Sequence, residues 1–458
     1  MANPSLAEYL AQSQRGMYQS VFGPDYMQKG VFTVDQDTNI FDTTYGRKVW
    51  QALNNQTRFF NAIPRVVWGN TAGWRVRSDR GAQRSRPVTE VGTLPTVDVS
   101  QIETISSLPR IVSTTFGASV KSVFTEQMEG GIGDVLAMEN EHAQLDHIKE
   151  INEEILAGSS APLSGTHSTS VLEFPTAAHR NQFKIGDVIA LYDTGSTAWS
   201  DNTNPVISYP GGATVSIVDP NVAGNEIFGI TPANGDLAVV KGRGGFTSID
   251  DVVMQDGVNL AGVAADADGG VRAYDLTFGG RDAGLWNAAA TVLSNSGVGR
   301  DLSLNLLDTC IQKVRENGGE PKLILMGHDQ YFKLERLLNS QQRYMGQEEY
   351  QVGVGSERTF PGTRTGLVLA TYMGIPIMPD ADVPKSWAAG SPYGALGTNV
   401  YVLDTDYIEM AIAQPTQYVE NRDYFAANQL IVRGLLYTMG EMRCKNIWVQ
   451  AKITDLNA

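Results

Sequence analysis

Apolar positions along this chain change their period several times, and each change predicts a different element. Leu6, Tyr9, Leu10 and Met17 fall near helical spacing behind Ser5, a suitable N-cap, and a polar stretch from Gly23 to Thr38 follows. A second helix is expected over Tyr45 to Ile63, where Val49, Leu53, Phe59, Phe60 and Ile63 form an apolar stripe that Pro64 ends. From Arg65 to Thr115 the period becomes strand-like, with Val66-Val67-Trp68 and Trp74-Arg75-Val76-Arg77 on one side and Arg110 to Thr115 on the other. Between them, Gly81 to Ser107 contains no aromatic residue to anchor a core. Two arms of about 15 residues, each rising ~3.3 Å, reach about 50 Å. An extended hairpin of that length cannot bury itself and calls for a partner chain.

Gly130-Gly131 then lead into one long helix, Asp134 to Leu156, whose apolar set is Met138, Leu145, Ile148, Ile151, Ile155 and Leu156. Its other positions carry Asp134, Glu139, Glu141, Asp146, Glu150, Glu153 and Glu154 against the single Lys149, so the open face is expected to be negative. At Gly158-Ser159-Ser160 the composition shifts to Gly, Ser, Thr, Asn and Asp until about residue 275. Short β-runs at Lys184 to Tyr192, Ala213 to Val218, Glu226 to Ile230 and Leu237 to Val240 predict a small all-β barrel or sandwich there. From Asp301 the pattern is α/β. A helix over Leu302 to Asn317, with Leu306, Leu307, Cys310, Ile311 and Val314 inward, stops at Gly318-Gly319. A buried strand Leu323 to Met326 and a helix Asp329 to Leu338 follow, then a polar loop Asn339 to Pro361. Later strands are expected at Leu367 to Leu369, Ile375 to Met378, Val400 to Leu403, Gln429 to Val432 and Ile447 to Gln450.

With 458 residues there is room for roughly two to four folded units, and 42% apolar with 19% charged residues is a globular composition. A formal charge of −15 argues against a surface that neutralises nucleic-acid phosphates. Lysines number 12 against 23 arginines, and an acidic surface poor in lysine suits a salty solvent, which suggests a halophilic source. Cys310 and Cys444 lie far apart in unrelated contexts and are expected to be buried small hydrophobes. No stretch approaches the ~20 apolar residues that span a bilayer, and Met1 to Ser20 lacks the pattern of a secretory leader.

Chemistry is hard to find. There is no Gly-Lys dipeptide for a phosphate cradle, no HExxH pair and no Gly-x-Ser-x-Gly elbow. His142 and His147 lie five apart, about 140° round the long helix from one another, which does not aim them at one metal. Asp266 and Asp268 precede Gly269-Gly270 without the oxygen ladder and distal Glu of a calcium loop. No catalytic, cofactor or metal site is therefore expected. The most unusual local feature is the set Arg75, Arg77, Arg80, Arg84 and Arg86, five arginines in twelve positions of an acidic protein. Arginine pairs carboxylates bidentately and keeps its charge, so this cluster suits docking on an acidic surface of another subunit. Glu139, Glu141, Asp146, Glu150 and Glu154 of the long helix are the candidate partners.

In order, arm, extended hairpin, long exposed helix, β-rich region, α/β region and return strands, the chain resembles the major capsid proteins of tailed double-stranded-DNA viruses, whose fold is named after phage Hong Kong 97. Leu302 to Gly319 followed by Pro321-Lys-Leu-Ile-Leu-Met-Gly-His-Asp-Gln-Tyr331 looks like that family's axial-domain helix, stop, buried strand and next helix. Thr371-Tyr-Met-Gly-Ile-Pro-Ile-Met-Pro-Asp380 and Tyr401-Val-Leu-Asp-Thr-Asp406 are similar to its following strands.

The resemblance implies an α+β fold of the Hong Kong 97 type: an N-terminal arm and helix over 1–64, an extended loop over 65–118 and a peripheral domain with spine helix over 119–160. An inserted β-rich domain would occupy 161–275, an axial domain 276–400 and return strands 401–458. It further implies a homo-oligomer of pentamers and hexamers that encloses double-stranded DNA without reading its sequence, located in the virion capsid and assembled in the host cytoplasm. Portal and decoration proteins would be partners, with a separate scaffolding protein or none. Some relatives cross-link a lysine of the extended loop, but no lysine occurs here between Lys48 and Lys121, so the shell is expected to be non-covalent. Two other readings stand beside this one. A cellular encapsulin compartment would share the fold, and a glycan-binding β-module would use Tyr192, Trp199 and Tyr209 as exposed stacking platforms.

Overall fold

The computed structural model describes residues 57–69, 73–77, 90, 92, 102–121, 135–168, 171–193, 198–199, 206–211, 213–218, 232–253, 274, 292–295, 297–339, 348–351, 359–362, 371–388, 394–422 and 430–458. The expected arm helix, most of the second helix, Glu226 to Ile230, Leu367 to Leu369, Asp266 and Asp268 lie outside them. Contacts divide the chain into two units. One comprises Met1–Leu53, Ala118–Met138 and Tyr424–Ile431; within it the Val120 amide donates to the Leu430 carbonyl at 3.0 Å. The other comprises Asn54–Gly117, Glu139–Asp423 and Val432–Ala458 and contains, element ends apart, all that follows.

A six-stranded mixed sheet has the spatial order Val292–Leu293, Ala451–Ile453, Val400–Leu403, Leu323–Met326, Ile375–Pro379, Thr371–Tyr372. Leu323–Met326 at its centre is antiparallel to Val400–Leu403 and parallel to Ile375–Pro379. Strand alternation sends Ile324, Met326, Val400 and Val402 into one core with Leu307, Cys310, Ile311, Val314 and Leu334 from the helices Leu304–Glu316 and His328–Asn339. The opposite set, Leu323, Leu325, Tyr401 and Leu403, enters a second core with Phe59, Phe60, Ile151, Ile155, Met410 and Met442. Coverage on both faces is why these strands read as unbroken apolar runs. The Ser303 hydroxyl accepts from the Leu306 amide at 3.2 Å to start the first of these helices, and Gly318 at φ 85 follows its end.

A four-stranded sheet runs Arg65–Val67, Ile408–Asn421, Ile431–Cys444, Arg110–Ser119. Its two central strands are antiparallel and 14 residues long each, far longer than the expected strand at Gln429 to Val432. Val66 to Trp68 and Arg110 to Thr115 were expected to be two arms of one hairpin, and here the structure differs. They flank the return strands on opposite edges of this sheet, while the hairpin pairing is Gly73–Arg77 with Ile102–Ser106. Period identifies a strand but not its partner, and these partners come from more than 300 residues further on, as in Val66 beside Ala411.

A seven-stranded sheet has the order Ser160–Pro162, Leu237–Gly242, Val188–Asp193, Val206–Gly211, Thr214–Val218, Val171–Glu173, with Ala198–Trp199 also pairing to Val188–Asp193. Its core collects Leu163, Leu172, Phe174, Phe183, Ile189, Leu191, Val215 and Ala238, and also Trp387 from the later chain. The Trp387 indole N–H donates to the Ser160 carbonyl at 3.1 Å, which ties this sheet to the strand Lys385–Trp387. Tyr192, expected as an exposed platform, is only 2% exposed, so it serves the sheet's packing and not a glycan surface. Two further expectations change. The polar loop Asn339 to Pro361 contains the antiparallel pair Glu348–Gln351 and Thr359–Gly362. Ile447–Val449 is a 3₁₀ turn and not a strand, because the Asn446 side chain accepts from the Trp448 amide and starts a turn before the strand Ala451–Ile453.

Candidate assembly surfaces

The long helix is Val135–Ile155, close to its expected bounds; of its expected inward stripe Ile151, Ile155 and Leu156 are buried, but Leu145 and Ile148 are not. Ala143, His147, Ile151 and Ile155, spaced by four, are buried with Asn152, whereas Leu145 and Ile148 are 38% and 37% exposed. His147 and Asn152, though polar, are accepted here because each is satisfied. His147 bonds Thr114 at 2.9 Å through Nδ1 and Thr438 at 2.8 Å through Nε2, joining the helix to two strands. Asn152 accepts from the Phe60 amide at 3.0 Å and donates to Asp382 at 2.6 Å. Seating these polar groups rotates Leu145 and Ile148 outward, next to Glu141 and Asp146, both exposed, with Glu139 and Glu150 half-buried.

Glu154 is a correction. Expected on the open acidic face, it is buried, and its Oε2 accepts from the Phe246 amide at 3.0 Å. On the far side of the same turn, buried Glu441 accepts from the Thr247 amide at 2.6 Å and pairs with Arg110 at 3.1 Å. Two carboxylates, one from the helix and one from a return strand, thus clamp Phe246-Thr247. Burial pushes both up to about 7, against the opposing pull of the Phe246 amide on one and of Arg110 on the other. Folded Glu154 therefore holds its proton to about pH 7, and an unfolded chain releases it near 4.5. Between these values the folded state carries the extra proton, so this group's contribution to stability falls as pH rises, by about 1.4 kcal/mol per pH unit. Burial pushes His147 the other way, below its ordinary value, so it removes stability as pH falls through 6.5. Comparing Glu154→Gln with the unsubstituted protein isolates the Glu154 part: the variant's unfolding midpoint is expected to decline less between pH 5 and 7.5. Parallel curves would show that Glu154 ionises normally.

Of the arginine cluster, Arg75 and Arg77 lie on the described strand and Arg80, Arg84 and Arg86 lie outside the described residues. Alternation divides the hairpin cleanly. Trp74, Val76 and Ile105 turn inward, Trp74 meeting Tyr274 edge-on at 5.1 Å between centroids. Arg75 and Arg77 turn to solvent with Thr104 and Ile102 opposite them, Ile102 being 61% exposed. A Cβ at Gly73 would overlap the Ile105 carbonyl, which explains the glycine at the base of this pair. The structure thus presents an apolar and cationic face on the hairpin and an apolar and anionic face on the long helix. The exposed apolar members of the helix face, Leu145 and Ile148, were assigned inward from sequence; the signal that could have reassigned them is the four-residue spacing of Ala143, His147, Ile151 and Ile155.

Behind these surfaces lies a buried ionic junction. Arg243 donates to Asp187 at 3.0 Å, to Asp251 at 2.8 Å and to the Gln182 carbonyl at 2.9 Å, while Asp187 also accepts from the Lys184 and Gly244 amides. Beside it Asp250 accepts from Lys452 at 2.8 Å, from the Tyr401 hydroxyl at 2.5 Å and from Ser159. The junction fastens the seven-stranded sheet to the six-stranded one through the short helix Ile249–Val252, whose Ser248 and Asp251 form a capping box. Cys310 and Cys444 are both buried, and burial pushes each thiol up to about 12. Among the described residues no group of three or more His, Cys, Asp or Glu is placed to hold a metal ion, and no helix is long and apolar enough to cross a membrane.

Residues 269–452 match the family model described as SU10 major capsid protein. No curated protein matches the chain. Solved structures similar to it include the capsid asymmetric unit of cyanophage A-1(L), at 11% identity and a TM-score of 0.49 over 90% of this chain and 96% of that one. The capsid of an empty GTA particle is similar at 11% identity and a TM-score of 0.46, over 96% and 99%. The holo-SrpI encapsulin complex from Synechococcus elongatus PCC 7942 is similar at 9% identity and a TM-score of 0.36, over 100% and 97%. The matched segment 269–452 takes in all but the end of the last strand of the six-stranded sheet, both helices that cover it and both long return strands, so this part of the chain is similar to the SU10 major capsid protein family.

Proposed function

We propose that this subunit builds a closed icosahedral shell of the Hong Kong 97 type around double-stranded DNA, held together by non-covalent contacts between copies of itself. The observation that carries the contact is the complementarity of two surfaces on one chain. The hairpin face joins Arg75 and Arg77 to exposed Ile102, and the long-helix face joins Glu141 and Asp146 to exposed Leu145 and Ile148. Each joins exposed apolar side chains to charge of one sign, and a heterologous contact between them repeats from subunit to subunit around a shell. A formal charge of −15 supports enclosure without adhesion, because phosphate is repelled from such a wall. No lysine lies between residues 48 and 121, which supports a shell without amide cross-links in its extended loop. Residues 1–64 as an arm, 65–118 as the loop and 161–275 as an inserted domain complete this reading. The particle sits in the virion, is assembled in the host cytoplasm, and meets portal, scaffolding and decoration proteins.

Electron microscopy of the purified protein at low and high salt tests it. Closed shells are expected, and boiling them in detergent is expected to release monomers only. Small monodisperse species in both salts would overturn the shell, high-mass detergent-resistant species would overturn the non-covalent assembly, and protein cargo in place of DNA in native particles would make the shell a compartment.

A further inference from the structure

On one of the two covered faces of the six-stranded sheet, the helix Leu304–Glu316 carries an open, mostly apolar groove of 370 Å³ lined by Asp308, Ile311, Gln312, Arg315, Glu316 and Met373. Met373 stands at φ 50 in the turn before Ile375–Pro379 and is 59% exposed, so the turn projects it to form one wall. The Tyr372 hydroxyl, donating to Asp308 at 2.7 Å, fixes that turn against the helix. The neighbouring helix His328–Asn339 covers the same sheet face and presents the complement. Phe332 is 53% exposed, and exposed Arg336 follows it one turn later on the same side, with Glu335 beside them. The groove's rim carries the opposite charges, carboxylates at Asp308 and Glu316 and a guanidinium at Arg315, with the Glu316 carboxylate accepting from Gln312 at 2.7 Å. A groove and a knob on two helices of one layer define a contact of unlike surfaces, which closes into a ring when copies repeat by rotation.

We infer that Phe332 of one subunit seats in the Ile311–Met373 groove of the next copy of this chain, with Arg336 on the rim carboxylates of Asp308 and Glu316, so that this pair closes the capsomer ring. The inference rests on the shell reading above, and its test separates the two. Cys310 and Cys444 are buried and do not compete for oxidation, so Phe332→Cys with Gln312→Cys places one new thiol on each side of the contact. Mild oxidation of assembled particles is expected to give a ladder of cross-linked chains that stops at the capsomer size, since a disulfide forms only where the two Cβ atoms approach to about 4 Å. Particles that assemble but yield no ladder overturn the inference and leave the shell intact; absence of particles from the unsubstituted protein overturns the shell itself. Failure of the Phe332→Cys variant to react with maleimide as dispersed subunits also overturns it, because another segment of the same chain then covers the knob. Charge exchange gives a second reading that needs no cysteine. Arg336→Glu and Glu316→Arg are each expected to cut particle yield at low salt about tenfold and to restore it together, and failure of the double variant to recover counts against the contact.

Discussion

Replacing Arg243 by alanine is expected to lower the unfolding free energy of the dispersed subunit by about 3–5 kcal/mol. The guanidinium is 4% exposed, and the carboxylates it serves, Asp187 and Asp251, are 0% and 6% exposed. Alanine leaves both of them inside the protein without their cation, beside the Gly158 and Gln182 carbonyls that also lose a donor. The cost arises from broken pairing and not from any special strength of the pair. Neutralising all three positions, as Arg243→Met with Asp187→Asn and Asp251→Asn, is therefore expected to recover most of the loss. Urea unfolding followed by tryptophan fluorescence reads both variants. A single variant within about 1 kcal/mol of the unsubstituted protein would mean that water reaches the junction.

Exchange of Arg75, Arg77 and Arg80 for glutamate is expected to abolish shell assembly while leaving soluble, folded subunits. Arg75 and Arg77 project away from the core that receives Trp74, Val76 and Ile105, so fold and assembly separate at this strand. The new charges would face Glu141 and Asp146 of a neighbour, turning attraction into repulsion across a partly apolar contact. High salt is expected to rescue the variant partly, because charges screened within about 10 Å at 0.1 M lose most of their repulsion. Circular dichroism checks the fold and electron microscopy checks the particles. Normal shells from the triple variant at low salt would remove the hairpin from the contact.

The acidic helix shows why part of this surface was legible and part was not. Glu141 and Asp146 are exposed as their charge suggests, since an unpaired carboxylate is costly to bury. Glu154 is buried all the same, because the Phe246 amide, 92 residues away in sequence, supplies its hydrogen bond. Leu145 and Ile148 are exposed because His147 and Asn152 found partners on Thr114, Thr438 and Asp382, and so took the inward positions.

Features governed by local physics could be read from the order of amino acids alone. The strands Leu323–Met326 and Val400–Leu403 follow from unbroken apolar runs, the helix Leu304–Glu316 from its apolar stripe and glycine stop, and the solvent side of Arg75 and Arg77 from alternation. Which strands share a sheet, which carboxylates are buried, and where apolar side chains stay exposed emerged only once the chain was folded. Each of those depends on a hydrogen-bond or ion partner that lies tens to hundreds of residues away, and period and composition carry no information about so distant a partner.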